Sequence, residues 1–141
     1  MKVSVILVNW NGKENTRECL KSLSHVIHEK FSLEIIVVDN NSTDDSVSEI
    51  KKQFPSVVML ESHQNKGYVG GNNIGIEYAL SHEASYILLL NNDTTVDKNF
   101  LTELVVASGK HDDRIVIGPK IYFYPGGEFH KDRYKKENRG K

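Results

Sequence analysis

Near its start the chain reads Val3-Ser4-Val5-Ile6-Leu7-Val8-Asn9-Trp10-Asn11-Gly12, an almost unbroken apolar, β-branched run that stops at a polar turn. Such a run suits a strand buried on both faces, as in a parallel sheet covered by helices. Beyond the turn, Thr16, Cys19, Leu20, Leu23, Val26 and Ile27 recur every three or four residues, which predicts a helix with one buried stripe. The unit then repeats. Residues 33–38 form a second apolar run, 39–43 a polar turn, and Val47, Ile50 and Phe54 mark a helix that Pro55 stops. Ser42 or Thr43 is the expected cap of that helix. A third strand is expected at 57–60, a polar, glycine-rich stretch at 62–71, a helix from 72 to about 82, and a fourth strand at 86–90. Phe100, Leu101, Leu104, Val105 and Ser108 then share a helical face, and a further apolar segment follows at 115–117. Alternating strands and amphipathic helices predict an α/β, three-layer, Rossmann-like fold with a mostly parallel sheet.

At 141 residues, with 38% hydrophobic and 26% charged residues, the chain has the size and composition of one soluble globular domain. Its 18 basic and 19 acidic side chains leave a net charge of -1, too little to steer it onto nucleic acid. No apolar run approaches the roughly 20 residues of a membrane-spanning helix. The N-terminus lacks the basic, apolar and small-residue pattern of a secretory signal, so the expected location is cytoplasmic, free or at the inner face of the membrane. Cys19, the single cysteine, cannot form an internal disulfide and is expected in the core. Residues 1–122 read as one domain and 123–141 as a charged, mobile tail, because 131–141 are mostly charged and hold no aliphatic side chain.

In an open α/β sheet, ligands bind where loops leave the carboxyl ends of the strands. The chemistry-bearing residues cluster at those ends. Asp39 closes the second strand, where its carboxylate can accept a hydrogen bond from a ligand N–H, or satisfy backbone donors in the following turn. Gly67, Gly70, Gly71 and Gly75 permit tight turns and close backbone approach, and the start of the next helix suits a phosphate. Neither G-x-G-x-x-G after the first strand nor G-x-x-x-x-G-K-[ST] occurs, which disfavours dinucleotide-dependent hydride transfer and P-loop chemistry. Asp93, after Asn91 and Asn92, can hold a hard divalent cation or cap the next helix.

Taken together, SVILVNWNG, IIVVDNNSTDDS, NKGYVGGNNIG and ILLLNNDT, in this order, resemble family 2 glycosyltransferases of the GT-A fold, particularly the rhamnosyltransferase-like branch. The resemblance covers residues 2–122. It implies inverting transfer of a sugar from a nucleoside-diphosphate sugar to the hydroxyl of an acceptor glycan or lipid-linked sugar, in polysaccharide or glycoconjugate synthesis. A divalent cation, Mg2+ or Mn2+, would assist. By the resemblance, Val8, Asn9, Trp10 and Asn11 line base and ribose, Asp39 contacts the base, and Asn41 stands in the same loop. Asn65, Gly70, Gly71, Asn72 and Asn73 lie against ribose and diphosphate, and Asn91, Asn92 and Asp93 form the metal-binding loop, with Asp93 as the metal ligand. Asn91 replaces the first aspartate of the family's D-x-D.

The family's general base lies downstream, in a half that also builds the acceptor site, and this chain is expected to stop before it. Glu128, Asp132 and Glu137 lack the flanking apolar structure that would fix a base in reach of its proton. A non-catalytic nucleotide-sugar-binding module, or a subunit completed by a partner chain, is therefore the alternative, and a homo-oligomer is a further option. A nucleotidyltransferase is disfavoured because the first strand is not followed by a glycine-rich loop bearing Arg and Lys.

Overall fold

The computed structural model describes residues 1–110 and 115–122. In chain order the elements are β1 (Lys2–Asn9), α1 (Lys13–Leu23), β2 (Ser32–Asp39), α2 (Ser46–Gln53), β3 (Val58–Glu61), α3 (Gly67–Ser81), β4 (Tyr86–Leu89) and α4 (Phe100–Ser108). The strands make one parallel sheet in the order β3-β2-β1-β4. The chain thus builds outward from β1 through β2 to β3, then returns to add β4 on the other side of β1. That reversal is the kind of switch point at which loops diverge and open a crevice.

The period-2 alternation of each strand sorts its side chains into two cores. Val3, Val5 and Leu7 of β1 join Val37 of β2 and pack with Cys19, Leu20 and Leu23 of α1, Ile50 of α2 and Leu101 of α4. On the opposite face Ile6, Ile36 and Val38 pack against Ala79 of α3. Every apolar residue of β1 except half-buried Val8 has almost no exposed surface, which accounts for its unbroken hydrophobic sequence.

Two expectations are corrected. The third helix begins at Gly67, not at residue 72, so Gly70 and Gly71 are helical and not loop residues, while Asn72 and Asn73 lie in the helix as expected. Its glycines are a packing device: a Cβ on Gly71 would lie 2.7 Å from Val8 Cγ1, and one on Gly75 2.5 Å from Ile6 Cγ2. The backbone of α3 therefore rests on β1 closer than any side chain allows. Ser42 and Thr43 do not cap α2, which starts three residues later behind Asp45. The segment 115–117 lies in neither a helix nor a strand and, like the rest of 115–122, is exposed. The expected charged tail, 123–141, lies outside the described residues.

Candidate functional site

Parallel register places Asn9, the last residue of β1, beside Asp39, the last residue of β2. Asn9 is fully buried. Its amide donates to Asp39 Oδ1 at 2.8 Å and to Ser42 Oγ at 3.1 Å, while its oxygen accepts from Thr16 Oγ1 at 2.8 Å. The other carboxylate oxygen of Asp39 accepts the Ser42 N–H at 2.9 Å. The turn-satisfying role open to an aspartate at a strand end is thus realised, and each oxygen retains acceptor capacity.

The β1 and β2 loops are fastened to one another by Asn11. Its Oδ1 accepts from the N–H of Thr43 at 2.7 Å and of Asp44 at 3.3 Å, and its own N–H donates to Ser42 Oγ at 2.9 Å. Asn11 and Asn41 both have positive φ, 50° and 65°, a conformation that asparagine tolerates better than other side-chain-bearing residues. Trp10, beside Asn11 in the β1 loop, is 58% exposed. Gly12 brings the β1 loop against the β4 loop, for a Cβ there would lie 2.9 Å from Asn92 Nδ2.

Asn40 turns the other way. It is buried, its N–H continues the ladder to Asn9 O at 2.8 Å, and its side chain reaches the loop before α3. Asn40 Nδ2 donates to Asn65 Oδ1 at 2.8 Å and Gly67 O at 3.0 Å, and Oδ1 accepts from the Lys66 N–H at 2.9 Å. From the first turn of α3, Tyr68 donates its hydroxyl to Asn91 Oδ1 at 3.1 Å. Asn92 then donates to Thr16 Oγ1 at 2.9 Å, which leads back to Asn9. Four loops distant in sequence are therefore joined around the carboxyl rim of the sheet by one circuit in which hydrogen bonds alternate with short steps of backbone, from Asp39 to Asn40, Gly67 to Tyr68 and Asn91 to Asn92.

Within that circuit the expected site residues differ in availability. Asn11, Asn41, Asn65, Asn73, Asn91, Asp93 and Trp10 are exposed. Asn9, Asp39, Gly71 and Asn72 are buried; Gly71 abuts Val8, and the Asn72 amide donates to Tyr68 O at 2.9 Å. Gly70 and Asn92 are half-buried. Sequence reading missed Thr16, Asn40, Ser42 and Tyr68 as members of the rim. Nothing in the run Asp39-Asn40-Asn41-Ser42 distinguishes the asparagine that bonds inward from its neighbour with positive φ. The carboxylates Glu128, Asp132 and Glu137 lie outside the described residues.

Beneath the β4 loop, Cys19 Sγ lies 3.8 Å from Asn91 O and 4.0 Å from Thr94 Oγ1. Burial pushes its thiol up to about 11, with nearby Asp93 adding to the rise and the Thr94 contact opposing it. It is therefore a protonated core residue, as expected from the sequence. No group of three or more His, Cys, Asp or Glu side chains suited to a metal occurs among the described residues. A cation here would have to arrive with ligands of its own, and one exposed carboxylate, Asp93, fits a hard ion that keeps phosphate oxygens and water around it. No helix among the described residues is long and apolar enough to cross a membrane.

The poly(ribitol-phosphate) beta-glucosyltransferase of Bacillus spizizenii is 30% identical over 142 aligned residues, covering 98% of this chain and 22% of the relative. The low-salt glycan biosynthesis hexosyltransferase Agl10 of Haloferax volcanii is 30% identical over 122 residues, covering 84% of this chain and 36% of its own. The chain thus spans well under half the length of these relatives. In three dimensions it superposes on Staphylococcus aureus TarS in complex with UDP-GlcNAc with a TM-score of 0.65 and 26% identity, over 79% of this chain and 32% of that one. The architecture is accordingly that of the GT-A fold. The glycosyl transferase family 2 profile matches residues 4–141, and the chain belongs to that family.

Proposed function

We propose that this chain is the donor-binding part of a glycosyltransferase that moves a sugar, with inversion, from a nucleoside-diphosphate sugar to an acceptor hydroxyl in polysaccharide or glycoconjugate synthesis. The observation that carries the reading is the circuit of hydrogen bonds and short backbone steps from Asn9 through Asp39, Asn40, Asn65, Tyr68, Asn91, Asn92 and Thr16. It ties four loops together on one rim of the sheet at a switch point, and preorganisation reduces the ordering cost of binding a ligand there. Val8, Asn9, Trp10, Asn11 and Asn41 line the base and ribose end, with Asp39 accepting from the base. Asn65, Gly70, Gly71, Asn72 and Asn73 flank ribose and diphosphate. Asn91, Asn92 and Asp93 face the diphosphate, and Asn91 in place of aspartate aligns the chain with the rhamnosyltransferase-like branch.

Mg2+ or Mn2+, held through Asp93, would neutralise charge on the departing nucleoside diphosphate. With one carboxylate at this loop, the protein contributes little charge, so the cation and the diphosphate bind as a unit. The acceptor glycan or lipid-linked sugar and the general base belong to the part of the protein beyond this donor site.

Calorimetric titration with UDP, dTDP and GDP, with and without Mn2+, tests the proposal. One of the three binds, more tightly with Mn2+. Asp93→Asn removes the Mn2+ dependence, and Asp39→Asn weakens binding roughly tenfold to a hundredfold, the scale of a hydrogen bond to a charged group. No heat with any of the three removes the assignment.

A second reading, a nucleotide-sugar-binding subunit completed by another chain or a second copy, is favoured by β4. Among the described residues that strand pairs only with β1, and an apolar cleft of about 170 Å³ lies beside it, lined by residues such as Leu88, Leu104 and Val116. Unpaired strand edges invite pairing with further backbone. Sugar transfer by the isolated chain in a form that sediments as a monomer would eliminate this second reading.

A further inference from the structure

We infer that Asn40 and Asn65 form a latch that fixes the first turn of α3 in the position the donor nucleotide requires, making Asn40 a positioning residue for binding. The inference rests on the proposed nucleotide site and assigns to it a residue that never needs to touch the ligand.

The geometry admits one orientation of the Asn40 amide. Its oxygen faces a donor, the Lys66 N–H at 2.9 Å, and its nitrogen faces two acceptors, Asn65 Oδ1 at 2.8 Å and Gly67 O at 3.0 Å. Asn65 Oδ1 in turn serves two donors, Asn40 Nδ2 and the Gly67 N–H, the latter also at 2.8 Å. The Lys66 and Gly67 N–H groups are among the unpaired donors that open any α-helix, and the latch satisfies both, since the N-cap side chain of Lys66 makes no cap hydrogen bond. Gly67 has a φ of +69°, and a Cβ there would meet nothing within 4 Å. Its glycine is therefore required by backbone conformation and not by crowding, and the bonds around it hold the chain in that turn. Buried Asn40 reaches Lys66, 26 residues further along the chain, and grips β1 through its own N–H.

The consequence for binding follows from population arithmetic. If the α3 entrance samples other conformations, apparent affinity falls by the fraction of molecules that remain competent. Tyr68, the next residue after Gly67, carries the hydroxyl that reaches Asn91, so a loosened latch also opens the circuit at the β4 loop.

Asn40→Asp keeps the size of the side chain and the acceptor for Lys66 but presents an oxygen to Asn65 Oδ1 and Gly67 O. Reversing the Asn65 amide to meet it would strip the Gly67 N–H of its acceptor. The test compares wild type, Asn40→Asp, Asn65→Ala and a core control, Leu23→Val, at the far end of α1. Hydrogen exchange and calorimetric titration with UDP and Mn2+, or whichever of UDP, dTDP and GDP binds, are measured on each. The latch predicts that both asparagine variants lose protection selectively at the Lys66 and Gly67 amides and bind the nucleotide at least about tenfold more weakly. Leu23→Val lowers global stability without changing affinity or local protection. Wild-type affinity in Asn40→Asp overturns the positioning role, and unchanged exchange at residues 66 and 67 overturns the latch. A wild type that binds no nucleotide refutes the proposed function instead, while the exchange pattern still decides whether the latch exists.

Discussion

Cys19 shows how one side chain can be legible in type and not in consequence. Its place in the helical stripe of α1 marks it as core, and it is buried. Only the folded environment reveals that the thiol is raised from 9.0 to about 11, mainly by desolvation. A group whose proton is held more tightly in the folded state stabilises that state below its unfolded pKa and loses the contribution as pH rises through the folded value. Stability should therefore decline between about pH 9 and pH 11, and Cys19→Ala should flatten that part of the decline. Denaturant midpoints at about pH 8 and about pH 10.5, on either side of the unfolded thiol's range, check this; an identical drop in both proteins contradicts it. Asp39 is recognisable as a strand-end carboxylate and Asp93 as a carboxylate of the loop beyond a strand, whereas the role of Asn40 is not. Its role depends on a partner 25 residues downstream, and no local pattern encodes that distance.

At the scale of an element, α3 is where pattern and structure diverge. A helix interior normally avoids glycine, which costs up to about 1 kcal/mol relative to alanine, so Gly67-Tyr68-Val69-Gly70-Gly71 reads as loop. The helix forms there because close packing on Val8 and Ile6 outweighs propensity. It lacks a conventional apolar stripe for the same reason: its buried positions near the site are Gly71, Asn72 and Gly75. Gly75→Ala would gain helix propensity yet force a methyl to 2.5 Å from Ile6 Cγ2. Ile6 is itself fully buried in the middle of β1 and cannot withdraw, so the net change should be a loss of about 1–3 kcal/mol, as for other overpacked cores. Urea unfolding measures it, and a Gly75→Ala variant as stable as wild type would show that α3 can lift from the sheet. β1, β2 and α1 posed no such difficulty, since strands buried on both faces and an amphipathic helix write their periodicity directly into sequence.

For the whole molecule, the parallel sheet and the meeting of the loops followed from alternation of the elements, because parallel connection leaves every strand-to-helix loop on one rim. What alternation alone leaves open is how the loops are joined. The circuit that links Asn9, Asp39, Asn65, Asn91 and Thr16 requires two strand ends in register, a glycine-thinned helix and a tyrosine spanning to the β4 loop. Those are properties of the assembled sheet. The same assembly leaves β3 and β4 each with a single partner among the described residues. On the proposed function the rim is the nucleotide site, so binding of a nucleoside diphosphate is expected of this chain whether or not it transfers sugar.

The direct measurement is a map of backbone amide shifts by NMR as a nucleoside diphosphate and Mg2+ are added to the isotope-labelled, 16.0 kDa chain. The account predicts shifts at residues 9–12, 39–43, 65–73 and 91–94 together, saturating with one dissociation constant. Shifts confined to one of these loops, or gathered at the amino ends of the strands, would contradict a single cradle on the carboxyl rim.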